Sequence, residues 1–259
     1  MPQDVNANRQ EAASSAPALD KGLDLLEVLA NEPGGLTQKQ VAERVGRSAS
    51  EIFRMLGVLQ RRGYIARDAE SGAYSLTLRL FDLATRHPPT RRLQHAAQPV
   101  MDRLAAETGL CCHLSVLASE TRFMSIATAL APNPMNWVVK LGASFPLTMP
   151  YTSARVLAAF QDDSRRASLV RALAEGSGVT AAAVTERLDA IRRTGYDIMP
   201  SEVAEGITDL SHPVPDAAGH ALAALTLPFM PWCARTADAA ATVPALISAA
   251  AEIARRLHG

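Results

Sequence analysis

Two helix-start signals lie close together between residues 36 and 59 of this chain. Thr37 is followed three residues later by Gln40, and Ser48 is followed three residues later by Glu51. A hydroxyl residue with Glu or Gln at this spacing forms a capping box, in which side chains satisfy the free amide groups of a helix start. With a glycine between the two boxes, the spacing predicts two short helices that cross at a tight turn. The segment is therefore interpreted as a helix-turn-helix.

The second of these helices has one apolar side and one polar side. Ile52, Leu56 and Leu59 recur at i, i+4 and i+7, which predicts a buried stripe. The polar outer face comprises Ser50, Glu51, Arg54 and Arg61. Between residues 36 and 67, seven positive charges against two negative ones leave a local balance of +5, although the whole chain has a net charge of zero. Such a localised basic patch is what counterion release at DNA phosphates requires. The alternative is a helical hairpin with a solvated charged face.

The residues after the second helix predict a β-hairpin. Gly63 ends the helix, and residues 64–67 and 73–76 have the composition of short strands on either side of a polar turn. This hairpin would be the wing of a winged helix-turn-helix, and it would carry Arg67 and Ser71 to the DNA backbone, where contacts fix register. A first helix is predicted ahead of the motif from the helical spacing of Leu19, Leu23, Leu26 and Ala30.

Length and composition indicate that the chain holds more than this one module. Its 259 residues, 48% of them hydrophobic, fit about two domains. The sequence has no run of eighteen apolar residues, and its polar start lacks a secretory signal, which predicts a cytoplasmic protein with no membrane partner. Residues 1–17 are rich in Ala, Ser, Asn and Gln and are predicted to form a disordered tail.

The chain has three cysteines, an odd number that argues against a disulfide framework and suits a reducing compartment. The adjacent Cys111 and Cys112 raise the alternative of a redox sensor. However, residues 110–117 are typical of a buried strand, in which a free cysteine is common. His113 follows the pair, but no second ligand cluster with a recognisable spacing is present in the sequence. Neither a metal nor another cofactor is expected.

The boundary between the two parts lies near residues 86–90, where Pro88 and Pro89 interrupt the helical pattern. Residues 76–85 are predicted to form a linker helix before it, and residues 93–108 an amphipathic helix after it. The remaining predicted elements are strands at 110–117, 122–129, 136–141, 208–214 and 221–228 and helices at 152–160, 164–174, 180–194 and 243–257. Antiparallel strands with helices packed on one face make an α+β domain.

Six motifs in order give the chain a resemblance to a known family. They are ALDKGLDLLEVLA at 18–30, RSASEIFRMLGVLQRRGYIARD at 47–68, GAYSLTLRLFDLA at 72–84, GASFPL at 142–147, RRTGYDI at 192–198 and LSHPVPDAAGHALAALTL at 210–227. Over nearly its full length the chain resembles the IclR family of bacterial transcriptional regulators. The resemblance implies an α+β chain with an N-terminal winged helix-turn-helix and a C-terminal GAF-like α/β effector-binding domain. It also implies a homodimer or homotetramer that binds double-stranded operator DNA and a small-molecule effector.

These observations predict a chain of four parts. They are a disordered tail at 1–17, a winged helix-turn-helix domain at 18–75, a linker helix at 76–89 and a GAF-like effector-binding domain at 90–259. Effector binding is expected to shift the equilibrium between two arrangements of the dimer through the linker helix. Repression and activation would use the same parts, so the sequence does not give the sign of regulation.

The resemblance places the DNA-facing residues on the second helix of the motif and on the turn before it. The predicted DNA-binding set is Thr37, Lys39, Arg47, Ser48, Ser50, Glu51, Arg54 and Arg67. Arg54 can fork onto guanine O6 and N7, and Glu51 can accept a hydrogen bond from cytosine N4 or act only as the capping partner of Ser48. Phe53 is expected to pack in the core rather than to contact thymine.

The resemblance also implies an effector site in the cup of the C-terminal domain. The matching positions are Trp137, Tyr151, Thr152, Met199, Ile207, Asp209, Thr226 and Pro228. Two departures from the family pattern reshape this cup. Residues 151–155 replace small residues and a Gly-Lys pair, and Asp209 stands where the family often has Cys.

The side chains at these positions favour a flat or aromatic ligand. The predicted apolar walls are Trp137, Met149, Tyr151, Met199 and Ile207, and the predicted polar groups are Thr152, Asp209, His212 and Thr226. Asp209 has no cationic neighbour in the sequence and would repel a carboxylate unless it is protonated or paired, which favours a hydroxyl or an amine on the ligand. The alternative is that the aromatic residues belong to the core.

Other classes of function fit the sequence less well. Ser211 and His212, with Asp209 and Asp216 nearby, supply the residue types of a hydrolase triad, but strand alternation sends sequence neighbours to opposite faces. The sequence has no Gly-x-Ser-x-Gly elbow, Walker loop or dinucleotide fingerprint. An enzyme is therefore not expected. A winged-helix regulator without a ligand remains the main alternative.

Overall fold

The computed structural model describes residues 16–86, 88–236 and 238–258. The chain forms two compact units, residues 1–87 and residues 88–259. The tail predicted over residues 1–17 falls outside the described residues, except for its last two. Pro17 is the first residue of a helix. Within the described residues, none of the helices is long and apolar enough to cross a membrane.

The N-terminal unit is a winged helix-turn-helix, as predicted. Its elements are α1 (Pro17–Ala30), α2 (Gln38–Arg44), α3 (Ala49–Arg61), β1 (Ile65–Arg67), β2 (Tyr74–Leu76) and α4 (Arg79–Thr85). Both capping boxes are present, because Thr37 and Ser48 each cap a helix start and accept from the amide of the third helical residue. Gly46 and Gly63 have positive φ angles of 64° and 77°, which glycine adopts without strain, where the chain leaves α2 and α3.

The core of this unit confirms the predicted apolar stripe of α3. Ile52 and Leu56 are fully buried, and the partly buried Leu59 packs beside them. They pack against Leu25 of α1 and Val41 of α2, neither of which has exposed surface. Burying side chains of this size stabilises the fold by about 1.5 to 3 kcal/mol each. The helix-turn-helix is therefore held by its own small core.

The linker helix and the helix after it have different limits from those predicted. Leu76, the predicted start of the linker helix, lies in β2 opposite Ile65. The helix begins only at Arg79, whose amide donates to the Thr77 hydroxyl. The next helix, α5 (Pro88–Thr108), begins five residues before the predicted start at Leu93. Adjacent prolines fit the first turn of a helix, where an amide donor is not needed.

The C-terminal unit has a six-stranded antiparallel sheet with helices on both faces. After α5, its elements are β3 (Cys112–Leu117), β4 (Arg122–Ala129), β5 (Ser144–Pro146), α6 (Thr152–Ala159), α7 (Asp163–Ser177), α8 (Ala181–Thr194), β6 (Asp197–Pro200), β7 (Thr208–Pro215), β8 (Ala221–Phe229) and α9 (Val243–His258). The strand order is β5-β4-β3-β8-β7-β6. Strands β3 and β8, which are far apart in the chain, are thus neighbours at the centre.

The prediction that helices cover one face of this sheet was wrong. Helices α5 and α9 pack on one face, with Leu114 and Leu225 in that core. Helices α6, α7 and α8 form a second core, which receives Phe123 and Ala224 from the other face. Neighbouring residues such as Ala224 and Leu225 point to opposite faces because side chains alternate along a strand. Strand β8 reads as a continuous apolar run because both of its faces are covered.

Two strand predictions near the sheet edges also need correction. Residues 136–141 were predicted to be a strand but make no ladder. The chain turns at Gly142, whose φ angle is 79°, and pairing with β4 begins at Ser144. Strand β6 was not predicted, because its four residues end in a proline. It forms the other edge of the sheet by pairing with β7.

Candidate DNA-binding face and ligand cavity

Helix α3 presents an exposed face opposite its buried stripe. Ser50, Phe53, Arg54 and Gly57 recur at i, i+3, i+4 and i+7 and are all exposed. Among the described residues, none forms an ion pair or hydrogen bond with the Arg54 guanidinium. The expectation that Phe53 packs in the core was wrong, because its side chain is 62% exposed and lies on this outer face. A basic and an aromatic side chain therefore stand side by side on the predicted reading surface.

The Glu51 carboxylate is engaged at the start of its own helix. It accepts from the Ser48 amide at 3.0 Å and from the Ser48 hydroxyl at 2.9 Å, and the Lys21 ammonium lies 3.4 Å away. The bond from the Ser48 backbone contributes most to lowering the pKa of Glu51 to about 2. Of the two roles predicted for Glu51, this geometry supports the capping role. The Ser50 hydroxyl lies 3.1 Å from that of Ser48.

The other predicted DNA-binding residues divide into engaged and free side chains. Arg47 is half-buried and pairs with Asp24 of α1 at 3.3 Å, so it ties the turn to the first helix. The Thr37 hydroxyl caps α2 together with Gln40. Lys39 is exposed on α2. Lys39 and Arg54 are therefore the cations of the set that the described part of the chain leaves uncommitted.

In the wing, the Arg67 side chain lies along the backbone of its own β-hairpin. The Arg67 Nε donates to the Gly72 carbonyl oxygen at 3.3 Å, and the guanidinium lies 5.6 Å from the centre of the Tyr74 ring. The Ser71 hydroxyl donates to the Asp68 carboxylate at 2.7 Å, and bonds from Ser71 lower the pKa of Asp68. The turn is thus closed by its own side chains, while Arg67 keeps an exposed charge at the wing.

An apolar groove runs between α1, α3 and α4 of the N-terminal unit, with a volume of about 650 Å³. Its apolar lining comprises Ala18, Leu19, Leu23, Leu26, Met55, Val58, Leu59, Leu80 and Leu83. Leu19 is 62% exposed and Leu23 is 48% exposed. Phe81, on the same short α4, is 68% exposed. Contiguous exposed apolar surface of this kind marks an interaction site more often than a free surface.

The C-terminal unit contains a cavity of about 390 Å³, here called the ligand cavity. It is lined by His113, Phe123, Trp137, Val138, Val139, Lys140, Ala143, Phe145, Tyr151, Thr152, Ser153, Val203, Asp209 and Thr226. The structure thus brings together five of the predicted effector positions, namely Trp137, Tyr151, Thr152, Asp209 and Thr226. The volume suits a small ligand.

Three aromatic rings form one wall of the ligand cavity. The rings of Phe123 and Phe145 are stacked at 5.3 Å, and Tyr151 meets each of them at 5.4 Å, edge-on to Phe123 and tilted to Phe145. Stacked and edge-to-face contacts at these distances are favourable and hold the rings in place. The wall is therefore a preformed surface for a flat apolar group.

The remaining predicted effector residues do not line the ligand cavity. Ile207 is 5% exposed and packs in the core of the α5 and α9 face. Met199 accepts from Arg155 through its sulfur, and Pro228 is buried opposite Asp209 on the neighbouring strand. Met149 is engaged as well, because its carbonyl oxygen accepts from Arg155. The resemblance predicts these positions from their place in the sequence. In the structure, they contact other parts of the protein instead of the cavity.

The floor of the ligand cavity is a row of hydroxyl groups. Ser153 and Thr226 lie 2.8 Å apart, Thr226 and Ser211 lie 2.6 Å apart, and Ser211 donates to Thr152 at 2.8 Å. Ser211 and Thr226 are directly opposite on neighbouring strands, and His113 is opposite Thr226 on the next strand. Directly opposite residues share a face of the sheet, so helix α6 and three strands contribute to one polar floor.

Beyond this row lies a buried ion pair. The Arg155 Nε donates to Asp197 at 2.6 Å, and Arg187 binds the other oxygen of the same carboxylate at 2.6 Å. Arg155 is only 2% exposed, and burial lowers the pKa of its guanidinium. Its remaining nitrogens donate to Met149 and Met199. Arg155 is thus committed to the fold and leaves its charge unavailable to a ligand.

The charged lining of the ligand cavity is sparse. Burial raises the pKa of Asp209, and burial alone lowers the pKa of His113 to about 4. His113 is therefore neutral at physiological pH. Lys140, an exposed residue of the segment before the turn at Gly142, is the cation of the lining. The interior of the cavity combines hydroxyl groups, the His113 imidazole and the Asp209 carboxyl group with an aromatic wall.

Comparison with known proteins places these two sites in a family. The family profile for the IclR helix-turn-helix domain matches residues 18–69, and that for the bacterial transcriptional regulator IclR C-terminal domain matches residues 89–255. The chain belongs to the IclR family. It is a DNA-binding transcriptional regulator of that family, so the exposed face of α3 belongs to a DNA-binding domain.

Individual IclR-family proteins resemble it along most of its length. The HTH-type transcriptional regulator KdgR of Escherichia coli is 28% identical over 233 residues, covering 87% of this chain and 86% of the relative. The Pca regulon regulatory protein of Pseudomonas putida is 24% identical over 229 residues, covering 85% and 78%. An IclR homolog from Microbacterium hydrocarbonoxydans, solved in complex with 4-hydroxybenzoate, shares the fold with a TM-score of 0.76 at 20% identity, covering 93% and 99%.

Within this IclR-family fold, the residue types of a hydrolase triad do not form a triad. Ser211 is fully buried, and its hydroxyl is engaged with Thr152 and Thr226. His212 is not part of the ligand-cavity lining, although it was predicted to be one of its polar groups. Its Nδ1 lies 2.7 Å from the Pro213 carbonyl oxygen, because strand alternation turns it away from Ser211.

Cys111 and Cys112 occupy buried positions in this IclR-family chain. Cys112 is buried in the core of the α5 and α9 face, and burial raises its pKa. Burial also raises the pKa of Cys111, whose sulfur accepts from the Ala131 amide at 3.5 Å. Raised pKa values disfavour the reactive thiolate. In the described ranges, no cluster of three His, Cys, Asp or Glu side chains is arranged to hold a metal ion.

Sequence reasoning missed several residues that this IclR-family structure brings to the ligand cavity. The main ones are His113, Phe123, Lys140, Phe145 and Ser153. Strand alternation within residues 110–117 could have placed His113 on the face opposite Leu114. Nothing local to the sequence indicates that this face carries a cavity, because the cavity forms only when α6 and the segment before β5 close over the sheet.

Proposed function

We propose that this IclR-family regulator changes its affinity for operator DNA when a small aromatic molecule binds in the ligand cavity. The observation that carries the proposal is the combination of three mutually packed rings, Phe123, Phe145 and Tyr151, with the polar floor of the same cavity. A concave apolar site with a few converging polar groups is the usual form of a small-molecule site.

The relatives support the same class of ligand. One fold neighbour was solved in complex with 4-hydroxybenzoate, which is an aromatic compound. We propose that the effector contacts Trp137, Tyr151, Thr152, Asp209 and Thr226, which are the predicted residues that line the ligand cavity. The main competing function is a regulator that binds DNA without a ligand, and the exposed face of α3 would serve it equally well.

For the DNA side, we propose that Lys39, Ser50 and Arg54 make the direct contacts. Lys39 and Arg54 are exposed cations without partners in the described residues, and Ser50 lies one turn before Arg54. Arg67 would neutralise a phosphate from the wing. Thr37, Arg47, Ser48 and Glu51 would support these contacts by holding the helix starts and the turn in position.

We propose that the active form is a homodimer or a homotetramer whose second copy covers the α1 and α4 side of the apolar groove and leaves Arg54 of α3 open to DNA. The exposure of Leu19, Leu23 and Phe81 supports a partner of the same apolar character. A two-fold axis would place two copies of α3 on a symmetric operator. In the same proposal, residues 18–75 read DNA, 76–89 link, 90–259 bind the effector, and the protein works in the cytoplasm without a catalytic activity.

The test begins with fragments of the organism's own chromosome. The purified full-length protein is expected to retain a small set of fragments at moderate salt, and sequencing them identifies the operator. Operator affinity is then measured with and without aromatic acids, phenols and aromatic amines. A change in affinity with an aromatic compound supports the proposal. Retention of operators with no response to any compound supports a ligand-independent regulator, and failure to retain selective fragments contradicts both functions.

A further inference from the structure

His113 is a buried polar side chain whose ring has no partner. It lies on β3, is 7% exposed and lines the ligand cavity. Among the described residues, none donates to or accepts from its ring nitrogens. Its strand neighbours on the same row are Thr226 and Thr128, and the Thr226 hydroxyl is already shared by Ser153 and Ser211. The imidazole therefore lines the cavity, and its ring nitrogens are open to a bound molecule.

A ligand that fills the cavity displaces water from the His113 ring, and a buried polar group that then finds no partner is costly. A neutral imidazole carries one N–H donor and one bare nitrogen that accepts. Both lie in the ring plane, and a group that reaches His113 from the cavity can satisfy one of them. A bound molecule that makes this bond keeps His113 satisfied, whereas one that cannot make it leaves the ring without a partner, and this difference favours the first molecule.

The hydroxyl row next to His113 has a fixed direction. Ser211 donates its hydrogen to Thr152. Since a hydroxyl has a single hydrogen, Thr226 must donate to Ser211, and Ser153 must donate to Thr226. The Thr152 hydrogen is the one that the row does not use. The floor thus offers a bound molecule a hydroxyl donor and an imidazole, which match a group that both donates and accepts.

The charges around the cavity floor indicate which chemical group of a ligand binds there. A carboxylate buried at the floor would need a cation, but Arg155 is paired with Asp197 and bonded to two further acceptors. Lys140 lies on an exposed segment, and Asp209 also lines the cavity and would repel a second carboxylate. A hydroxyl group donates and accepts without bringing a charge into this environment.

We propose, on the basis of the proposed function, that the effector is a hydroxyl-bearing aromatic compound whose hydroxyl hydrogen-bonds to the ring of His113. The aromatic ring of the compound packs against Phe123, Phe145 and Tyr151. The hydroxyl distinguishes the compound from its ether or unsubstituted analogue, because only the hydroxyl can exchange both hydrogen bonds with the floor. His113 is then the residue that sets this specificity.

Calorimetric titration of the full-length protein tests the proposal. The probes are phenol and 4-hydroxybenzoate, and their matched ethers are anisole and 4-methoxybenzoate. The wild-type protein is expected to bind each hydroxyl probe about tenfold more tightly than its ether. The His113→Phe variant should lose this preference, and His113→Gln should keep part of it because an amide also donates and accepts. His95→Phe, on the exposed surface of α5, is the matched control and should behave as wild type.

A second measurement does not depend on the variants folding well. In the protein labelled with nitrogen-15 at histidine, the ring nitrogens of His113 should shift when phenol binds and should not shift with anisole. Equal binding of hydroxyl probes and ethers, or undiminished affinity in His113→Phe, overturns the proposal while leaving an aromatic effector in place. Absence of binding by all four probes at millimolar concentration overturns both the proposal and the aromatic effector.

Discussion

At the scale of single residues, Glu51 and Arg54 lie near each other on α3 but differ in whether their charged groups already have partners. The Glu51 carboxylate is taken up by Ser48 and Lys21, whereas the Arg54 guanidinium has no partner in the described part of the chain. A side chain that already makes its hydrogen bonds gains less from a base edge than one that makes none. Sequence specificity at this helix should therefore come from Arg54 more than from Glu51.

The Glu51→Gln variant tests the capping role. Glutamine also completes a capping box, so the melting temperature and the base preference of the operator should both stay close to those of the wild type. A selection of binding sites from randomised operator DNA measures the preference. If the variant exchanges cytosine for another base at one position, Glu51 reads that base and the capping assignment is incomplete.

The Arg54→Ala variant should weaken operator binding. Loss of a forked contact to guanine costs about 1 to 3 kcal/mol and relaxes specificity at its base pair. Titration of labelled operator DNA at fixed salt measures the loss. Arg171→Ala, an exposed arginine on α7 of the other unit, is the control and should change affinity little. Equal losses with both variants would mean that Arg54 supplies only general positive charge.

His113 should also make stability depend on pH. Its pKa in the folded protein is about 4, below the ordinary histidine value, so the unfolded chain binds this proton more readily than the folded protein does. The free energy of unfolding is therefore at its full value above the pKa of the unfolded state, and it decreases as the pH falls toward the pKa of the folded state. Between about pH 7 and about pH 5, this histidine alone should remove about 2 kcal/mol from the free energy of unfolding. Urea unfolding of the wild type and of His113→Gln at fixed protein concentration measures the difference, which should be smaller in the variant. Parallel losses in both proteins would exclude this role.

What the sequence revealed about single residues depended on how local their roles are. Ser48 and Glu51 were assigned correctly to a helix start because a capping box involves residues three apart. Phe53 was placed in the core because aromatic residues usually pack, but its position on α3 sends it outward. Nothing local to the sequence marks His113, because its importance arises from a cavity that distant segments close.

At the scale of elements, one ion pair ties α6 to the edge of the sheet and to α8. Asp197 of β6 receives Arg155 of α6 and Arg187 of α8. Arg155 and Asp197 are almost completely buried, so each charge depends on the other for its stability. Helix α6 also carries Thr152 and Ser153 of the cavity floor. The ion pair thus helps to hold the floor in position.

The Asp197→Asn variant should destabilise the protein strongly. It leaves Arg155 as a buried charge without a counterion, which costs about 3 to 5 kcal/mol. Asp189→Asn on α8 removes the more exposed pair with Arg166 and should cost less than about 1 kcal/mol. Chemical denaturation of the two variants gives the comparison. Similar small losses would show that the ion pair adds little to holding α6.

Elements with a strong periodic pattern were predicted from the sequence, and those defined by their neighbours were not. Strand β4 was predicted at its observed limits, and α8 within one residue, from their own apolar patterns. Residues 136–141 look like a strand because Trp137, Val138 and Val139 are adjacent, but these side chains line the ligand cavity and the backbone makes no ladder. The second helical layer was not predicted, although the continuous apolar run of β8 is typical of a strand that is covered on both faces.

At the scale of the whole molecule, the apolar groove predicts self-association. The Leu23→Glu variant places a charge among leucines of α1 and α4, so the second copy should bind less tightly. Sedimentation velocity is expected to show a smaller species or a weaker self-association constant than in the wild type. The Val179→Glu variant, at an exposed apolar position between α7 and α8, is the control. An unchanged assembly with Leu23→Glu would mean that the partner covers another surface.

The sheet order also bears on how the chain is made. The small core of the N-terminal unit is built from residues between Leu25 and Leu76, so this core can form while the ribosome is still translating the rest. The sheet of the second unit can be completed only after β8 has been synthesised, because His113 near the start of β3 pairs with Thr226 of β8. Until β8 emerges, β3 is an unprotected edge of a nascent sheet. A product truncated before that strand would carry a folded DNA-binding domain without a complete effector-binding domain to control it.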